Sequence, residues 1–107
     1  MHGSAANCMA EIFASNDSEV VTEIRKNADP FFGGKPPEPL LNYVDDLNQI
    51  LIKNSKNEVK TLGIIFDGDG DRIAAIDEKG RYSSTQDLLP YFISYLGEIK
   101  NLSLIHI

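Results

Sequence analysis

The 107-residue sequence has no tryptophan and a single cysteine, Cys8, and each scarcity excludes a class of protein. One cysteine cannot form an intrachain disulfide, so a disulfide-stabilised secreted domain is excluded and a reducing, cytoplasmic location fits. Cys8 lies among alanines and a methionine in a predicted helix, where we expect a buried structural thiol. No apolar run approaches the about 20 residues of a membrane span. The residues from Met1 to Ser4 lack the basic and apolar parts of a secretory signal peptide.

Positive charge is also scarce. Ten lysines and arginines face 16 aspartates and glutamates, which gives a net charge of −6. A protein that binds nucleic acid through its phosphates needs a clustered positive surface, so this balance argues against such a partner. The 42% content of hydrophobic residues is ordinary for a folded protein. A chain of this length has room for one compact domain.

The most informative stretch is Asp67-Gly68-Asp69-Gly70-Asp71-Arg72. Glycine permits the positive-φ turns that bring alternate carboxylates together. Three carboxylates that face one point repel one another unless a cation neutralises them. Ligation by oxygen alone favours Mg²⁺, Mn²⁺ or Ca²⁺. Asp67, Asp69 and Asp71 are therefore predicted to bind one hard metal ion.

The spacing of apolar residues predicts an α/β fold, with two buried strands directly on either side of this loop. Because the loop alone joins them, those two strands should pair antiparallel. A strand–helix–strand unit before them implies a parallel crossover and hence a mixed sheet. The predicted elements are a helix over residues 4–14 capped by Ser4, a strand over 19–24, a proline- and glycine-rich loop over 27–39, a helix over 40–53, strands over 62–66 and 73–76, a turn over 78–80 and a helix over 85–96.

The acidic loop has two other interpretations. The first is an acidic, solvent-exposed Asp-Gly turn. The other is an EF-hand calcium loop, in which Asp67, Asp69, Asp71 and Glu78 take positions one, three, five and twelve. Arg72 then stands where that loop needs glycine, and the flanks are strand-like rather than helical. A phosphate loop at Gly33-Gly34-Lys35 is rejected, because proline follows the lysine and the first glycine is absent.

The stretch from Leu62 to Ile73, followed by Ile76-Asp77-Glu78-Lys79-Gly80, resembles the metal-binding segment of the α-D-phosphohexomutases, the phosphoglucomutase and phosphomannomutase family. Other stretches agree with that resemblance. The turn that opens the family's second domain is similar to Met1-His2-Gly3-Ser4-Ala5. Its central loop is similar to Asp29-Pro30-Phe31-Phe32-Gly33-Gly34 with Pro37-Glu38-Pro39, and its closing helix is similar to residues 85–96.

The resemblance implies a three-layer α/β/α sandwich with a small mixed sheet, of which the central first strand is largely missing. It implies that Asp67, Asp69 and Asp71 bind Mg²⁺ and that Arg72, as a catalytic residue, faces the phosphoryl group or a substrate hydroxyl. The family moves phosphate between C1 and C6 of a hexose phosphate through a phosphoserine and a bisphosphorylated intermediate. Partners would be that substrate and the enzyme's other domains, with no nucleic acid and no membrane.

The phosphoserine loop and the other domains of the family have no counterpart in this sequence. We therefore expect a fragment that is inactive alone, with residues 1–97 forming an N-terminally truncated second domain and residues 98–107 a tail that departs from the family. One hypothesis places the tail from Leu102 to Ile107 in the position of the missing strand. The alternatives are a stand-alone module that binds divalent cations and a non-catalytic interaction fragment.

Overall fold

A computed structural model describes residues 1–14 and 21–102 of the chain. Its sheet has three short strands in the order β1, β2, β3, and each neighbouring pair is antiparallel. In the first pair Gly63 lies opposite Ile76 and Phe66 opposite Ile73, so the acidic loop joins the two strand ends. The strands are β1 (Gly63–Phe66), β2 (Ile73–Ile76) and β3 (Tyr82–Ser83), and the α-helices are α1 (Cys8–Phe13), α2 (Asp45–Lys56) and α3 (Thr85–Ser94).

Helices cover both faces of this sheet, which confirms the predicted α/β/α class. On one face a Cβ at Gly63 would lie 2.9 Å from Leu51 of α2, so α2 approaches β1 as closely as glycine allows. On the other face α3 contacts β2, and the Thr85 hydroxyl donates to the Ile73 carbonyl at 2.6 Å. Five buried side chains form the core between α2 and the sheet: Val44, Leu51, Ile65, Ala74 and Ile76.

Several elements begin or end elsewhere than predicted. The first helix begins at Cys8 rather than at Ser4, and Cys8 is half-buried rather than buried. A 3₁₀ turn at Leu41–Tyr43 precedes α2, because Val44 has φ −126° and ψ 33° and interrupts the helix. The last helix runs from α3 into a π-helical turn, Tyr95–Ile99. None of the helices in the described ranges has the length and apolar character needed to cross a bilayer.

The predicted parallel crossover is absent from the described residues. Residues 21–24 form no strand, and residues 19–20 of that predicted strand lie outside the described ranges. Instead, the His2 amide donates to the Arg25 carbonyl at 2.8 Å, and the Ser4 amide donates to the Gly68 carbonyl at 3.1 Å. The first residues therefore lie between residue 25 and the end of β1, where the resemblance puts the remnant of the first strand. The hypothesis for the tail concerns residues that, apart from Leu102, lie outside the described ranges.

Candidate metal centre

The acidic loop is the connection of the β1–β2 hairpin. The Asp67 amide donates to the Arg72 carbonyl at 3.3 Å, which closes the loop at its base. Gly70 has φ +80°, a conformation that residues with a side chain rarely adopt, and it lets the chain reverse between Asp69 and Asp71. The predicted role of glycine in this loop is thus met at Gly70.

Asp67 is the buried member of the cluster, with 1% of its surface exposed. Its Oδ1 accepts from the amides of Gly70 at 2.9 Å and Arg72 at 3.2 Å, and its Oδ2 accepts from Arg72 Nε at 2.7 Å. Burial raises the pKa of Asp67, but the hydrogen bonds from Arg72 and Gly70 outweigh burial and hold the pKa below its ordinary value. Asp67 is therefore ionised at neutral pH and has a fixed orientation.

Asp69 and Asp71 are exposed beside it. The Asp67 carboxyl and the charge of Asp69 raise the pKa of Asp71, as expected for carboxylates that lie close together. The side chain of Arg72 is 52% exposed, and its Nε lies 3.9 Å from Asp71. Arg72 therefore offsets the charge of Asp67 far more than that of Asp71.

One oxygen from each of Asp67, Asp69 and Asp71 lies within 4.8 Å of the other two. An ion about 2.1 Å from each ligand requires oxygens at most about 4.2 Å apart, so the side chains need only a small adjustment to meet Mg²⁺. Three carboxylates and no nitrogen or sulfur form a donor set suited to a hard cation. The residues present fit the predicted metal.

The EF-hand alternative is wrong, because strands rather than helices flank the loop. Glu78, its twelfth-position ligand, lies in the turn after β2, at the other end of the hairpin. Four residues of strand, about 13 Å, separate that turn from the loop.

Distant segments hold the outside of the loop. The Gly68 amide donates to the Pro37 carbonyl at 3.0 Å, and a Cβ at Gly68 would lie 3.1 Å from the Phe32 ring. The proline-rich loop predicted over residues 27–39 therefore packs on the acidic loop. Ser4, predicted to cap a helix, donates its hydroxyl to the Asp69 carbonyl at 2.7 Å instead. These contacts join residues far apart in the sequence, and no local pattern indicates them.

Known proteins match most of this sequence. A family model described as phosphoglucomutase/phosphomannomutase, alpha/beta/alpha domain II, matches residues 1–80. The phosphoglucosamine mutase of Methanococcus aeolicus is 37% identical over 98 residues, which cover 89% of this chain and 22% of the relative. A probable phosphoglucosamine mutase of Methanothermobacter thermautotrophicus is 33% identical over 89% of this chain and 20% of its own length. A phosphoglucosamine mutase of Clostridium botulinum is 36% identical over 87% of this chain and 17% of its own length.

The chain thus spans about a fifth of the length of these relatives. No solved structure gives a significant match. The family model covers the acidic loop, both strands of its hairpin and the segments that hold it from outside. The chain belongs to the phosphoglucomutase and phosphomannomutase family, and the part of the family it matches is domain II.

Proposed function

We propose that this chain is the metal-binding domain of a phosphohexomutase and that Asp67, Asp69 and Asp71 bind one Mg²⁺ ion. The observation that carries the proposal is the convergence of three carboxylate oxygens within 4.8 Å in one hairpin loop. When bound, Mg²⁺ would polarise phosphoryl oxygens and stabilise the charge that develops during phosphoryl transfer.

Within that proposal Arg72 binds the phosphoryl group. Asp67 accepts from its Nε at 2.7 Å and so restricts the orientation of the guanidinium. More than half of the side chain is exposed, so its terminal N–H groups remain open to an oxyanion. Paired N–H donors of this kind suit phosphate oxygens, and a fixed guanidinium loses less freedom on binding them.

The proposed substrate is a hexose phosphate whose phosphate moves between C1 and C6. The names of the relatives favour glucosamine phosphate over the glucose and mannose phosphates that the resemblance alone left open. We expect the 107-residue chain by itself to convert none of them, because its sequence contains no phosphoserine loop. Conversion of glucosamine 6-phosphate by the purified chain would contradict this part of the proposal.

Calorimetric titration of the chain with Mg²⁺, Mn²⁺ and Ca²⁺ tests the metal site. The triple variant Asp67→Asn, Asp69→Asn, Asp71→Asn should lose all cation binding. A matched control, Glu11→Gln, Glu58→Gln, Glu98→Gln, makes the same change in charge at exposed acids outside the loop and should bind as the unaltered chain does. Equal loss in both variants would show a diffuse electrostatic effect and overturn the site.

The same titration separates the alternatives. The three carboxylates supply at most half of an octahedral shell, so we expect Mg²⁺ binding weaker than millimolar in this chain alone. Sub-millimolar binding would instead favour the stand-alone cation-binding module. Absence of binding at any concentration would leave the non-catalytic interaction fragment.

A further inference from the structure

Residues Gly3 and Ser4 lie directly against the acidic loop, although Ser4 and Asp69 are 65 positions apart in the sequence. The Ser4 amide donates to the Gly68 carbonyl at 3.1 Å, and the Ser4 hydroxyl donates to the Asp69 carbonyl at 2.7 Å. Two consecutive carbonyls of the loop are therefore held by the two donors of one residue.

Gly3 sets how closely these two segments approach. A Cβ built at Gly3 would lie 1.9 Å from the Gly68 carbonyl oxygen, a separation that no side chain tolerates. A Cβ at Gly70 would likewise lie 3.3 Å from that of Ala5, so the contact continues along the loop. The approach needs glycine at position 3, and any larger residue must push Gly68 away.

We propose that Gly3 and Ser4 are positioning residues that fix the backbone of Gly68 and Asp69 and thereby set the divalent-cation affinity of the loop. The proposal rests on the metal site proposed above. Asp67 is already held by burial and by its hydrogen bonds to Gly70 and Arg72. Asp69 has an exposed side chain, and Ser4 holds its backbone carbonyl from outside the hairpin.

The expected effect on affinity follows from the loss of one hydrogen bond. Without the Ser4 hydroxyl, the Asp69 peptide must be ordered by the cation itself, and part of the binding free energy is then used for that ordering. A hydrogen bond of ordinary net strength corresponds to about 2- to 10-fold in affinity. Substitution at Gly3 displaces the Gly68 backbone and should reduce affinity by about 10-fold or more.

The experiment titrates the unaltered chain and five variants with Mn²⁺, detected by electron paramagnetic resonance. Ser4→Ala should bind about 2- to 10-fold more weakly, and Ser4→Thr, which keeps the hydroxyl, should restore affinity. Ser94→Ala removes an exposed serine at the end of α3 and should leave affinity unchanged. Gly3→Ala should weaken binding most, and its control is Gly97→Ala, where an added Cβ meets nothing within 4 Å.

A second measurement, made without any cation, separates this proposal from the metal site. Amide hydrogen exchange of Gly70 and Arg72 reports whether the loop is held, because both amides donate to Asp67. Faster exchange in Ser4→Ala but not in Ser94→Ala supports positioning even if no variant binds Mn²⁺, a result in which only the metal site fails. Equal affinity in Ser4→Ala and the unaltered chain, with equal exchange, overturns the positioning role. If Gly3→Ala fails to fold by circular dichroism, the Ser4 variants decide.

Discussion

Replacing Asp67 with asparagine should destabilise the fold, whereas the same change at Asp69 or Asp71 should not. Asp67 is 1% exposed and accepts from three donors, the amides of Gly70 and Arg72 and the Arg72 Nε. An asparagine oxygen can keep the two amides, but its NH₂ group then faces Nε, so two donors oppose each other.

The size of the effect follows from these contacts. A hydrogen bond to a charged group contributes about 1.5–3 kcal/mol, and breaking a buried pair costs about 3–5 kcal/mol. Because 52% of the Arg72 side chain is exposed, it recovers water when its partner is lost. We therefore expect Asp67→Asn to lower the free energy of unfolding by about 2–3 kcal/mol, below the fully buried case.

Urea denaturation in the presence of EDTA measures this difference without any cation. With a urea m-value of about 1.5 kcal/mol/M, the midpoint of Asp67→Asn should fall by about 1.3–2 M. Asp69→Asn and Asp71→Asn should leave the midpoint unchanged or raise it, because the crowding that raises the pKa of Asp71 is relieved. Equal midpoints for all three variants would refute the inference that Asp67 is the one of the three aspartates that stabilises the fold.

Three further predictions concern the scaffold. Leu51→Ala empties a fully buried position of the core and should lower the free energy of unfolding by about 2–5 kcal/mol, whereas Ile52→Ala, at a 41% exposed position of the same helix, should change it little in urea titrations. Thr85→Val loses the hydroxyl that donates to the first carbonyl of β2 and should cost about 0.5–1.5 kcal/mol in a thermal melt, with Thr85→Ser as the control that keeps the donor. Hydrogen bonds from Ser84 hold the pKa of Asp87 below its ordinary value. The ionised carboxylate therefore stabilises the fold at any pH above that ordinary value, and this stabilisation is lost as the pH falls through the lower pKa of the folded state. Acid titration below about pH 4 should therefore destabilise the unaltered chain more than Asp87→Asn, and parallel curves would contradict this.

The hairpin and its loop were predictable because all their signals lie within fifteen consecutive residues. Two apolar runs specify β1 and β2, and the acids and glycines between them specify a turn rather than more strand. The observed register pairs the buried positions of the two strands, Gly63 with Ile76 and Ile65 with Ala74, on one face of the sheet. β3 was missed because its two residues, Tyr82–Ser83, are too few to show an alternation.

The errors elsewhere arise from contacts that local patterns do not contain. Ser4 has the right type and place to cap a helix, but the Asp69 carbonyl competes for its hydroxyl, and the helix begins four residues later. The apolar spacing from Leu40 onward continues smoothly through Val44, whose backbone nevertheless leaves the helical region. Tertiary contacts decide both cases, and a single sequence does not display them.

The burial of Asp67 has an electrical consequence. Gly63 and Ile65 are the buried residues of β1, and the buried Asp67 follows two positions after Ile65, so the acid continues the alternation of buried residues just past the strand. Water is largely excluded around Asp67, so the charge of its carboxylate acts through a weakly polarisable medium. At physiological ionic strength the screening length is about 8 Å, and mobile ions screen the exposed Asp69 and Asp71 but screen the buried Asp67 poorly. Raising the salt concentration should therefore weaken the attraction of Asp69 and Asp71 for an approaching cation more than it weakens the ion pair between Asp67 and Arg72.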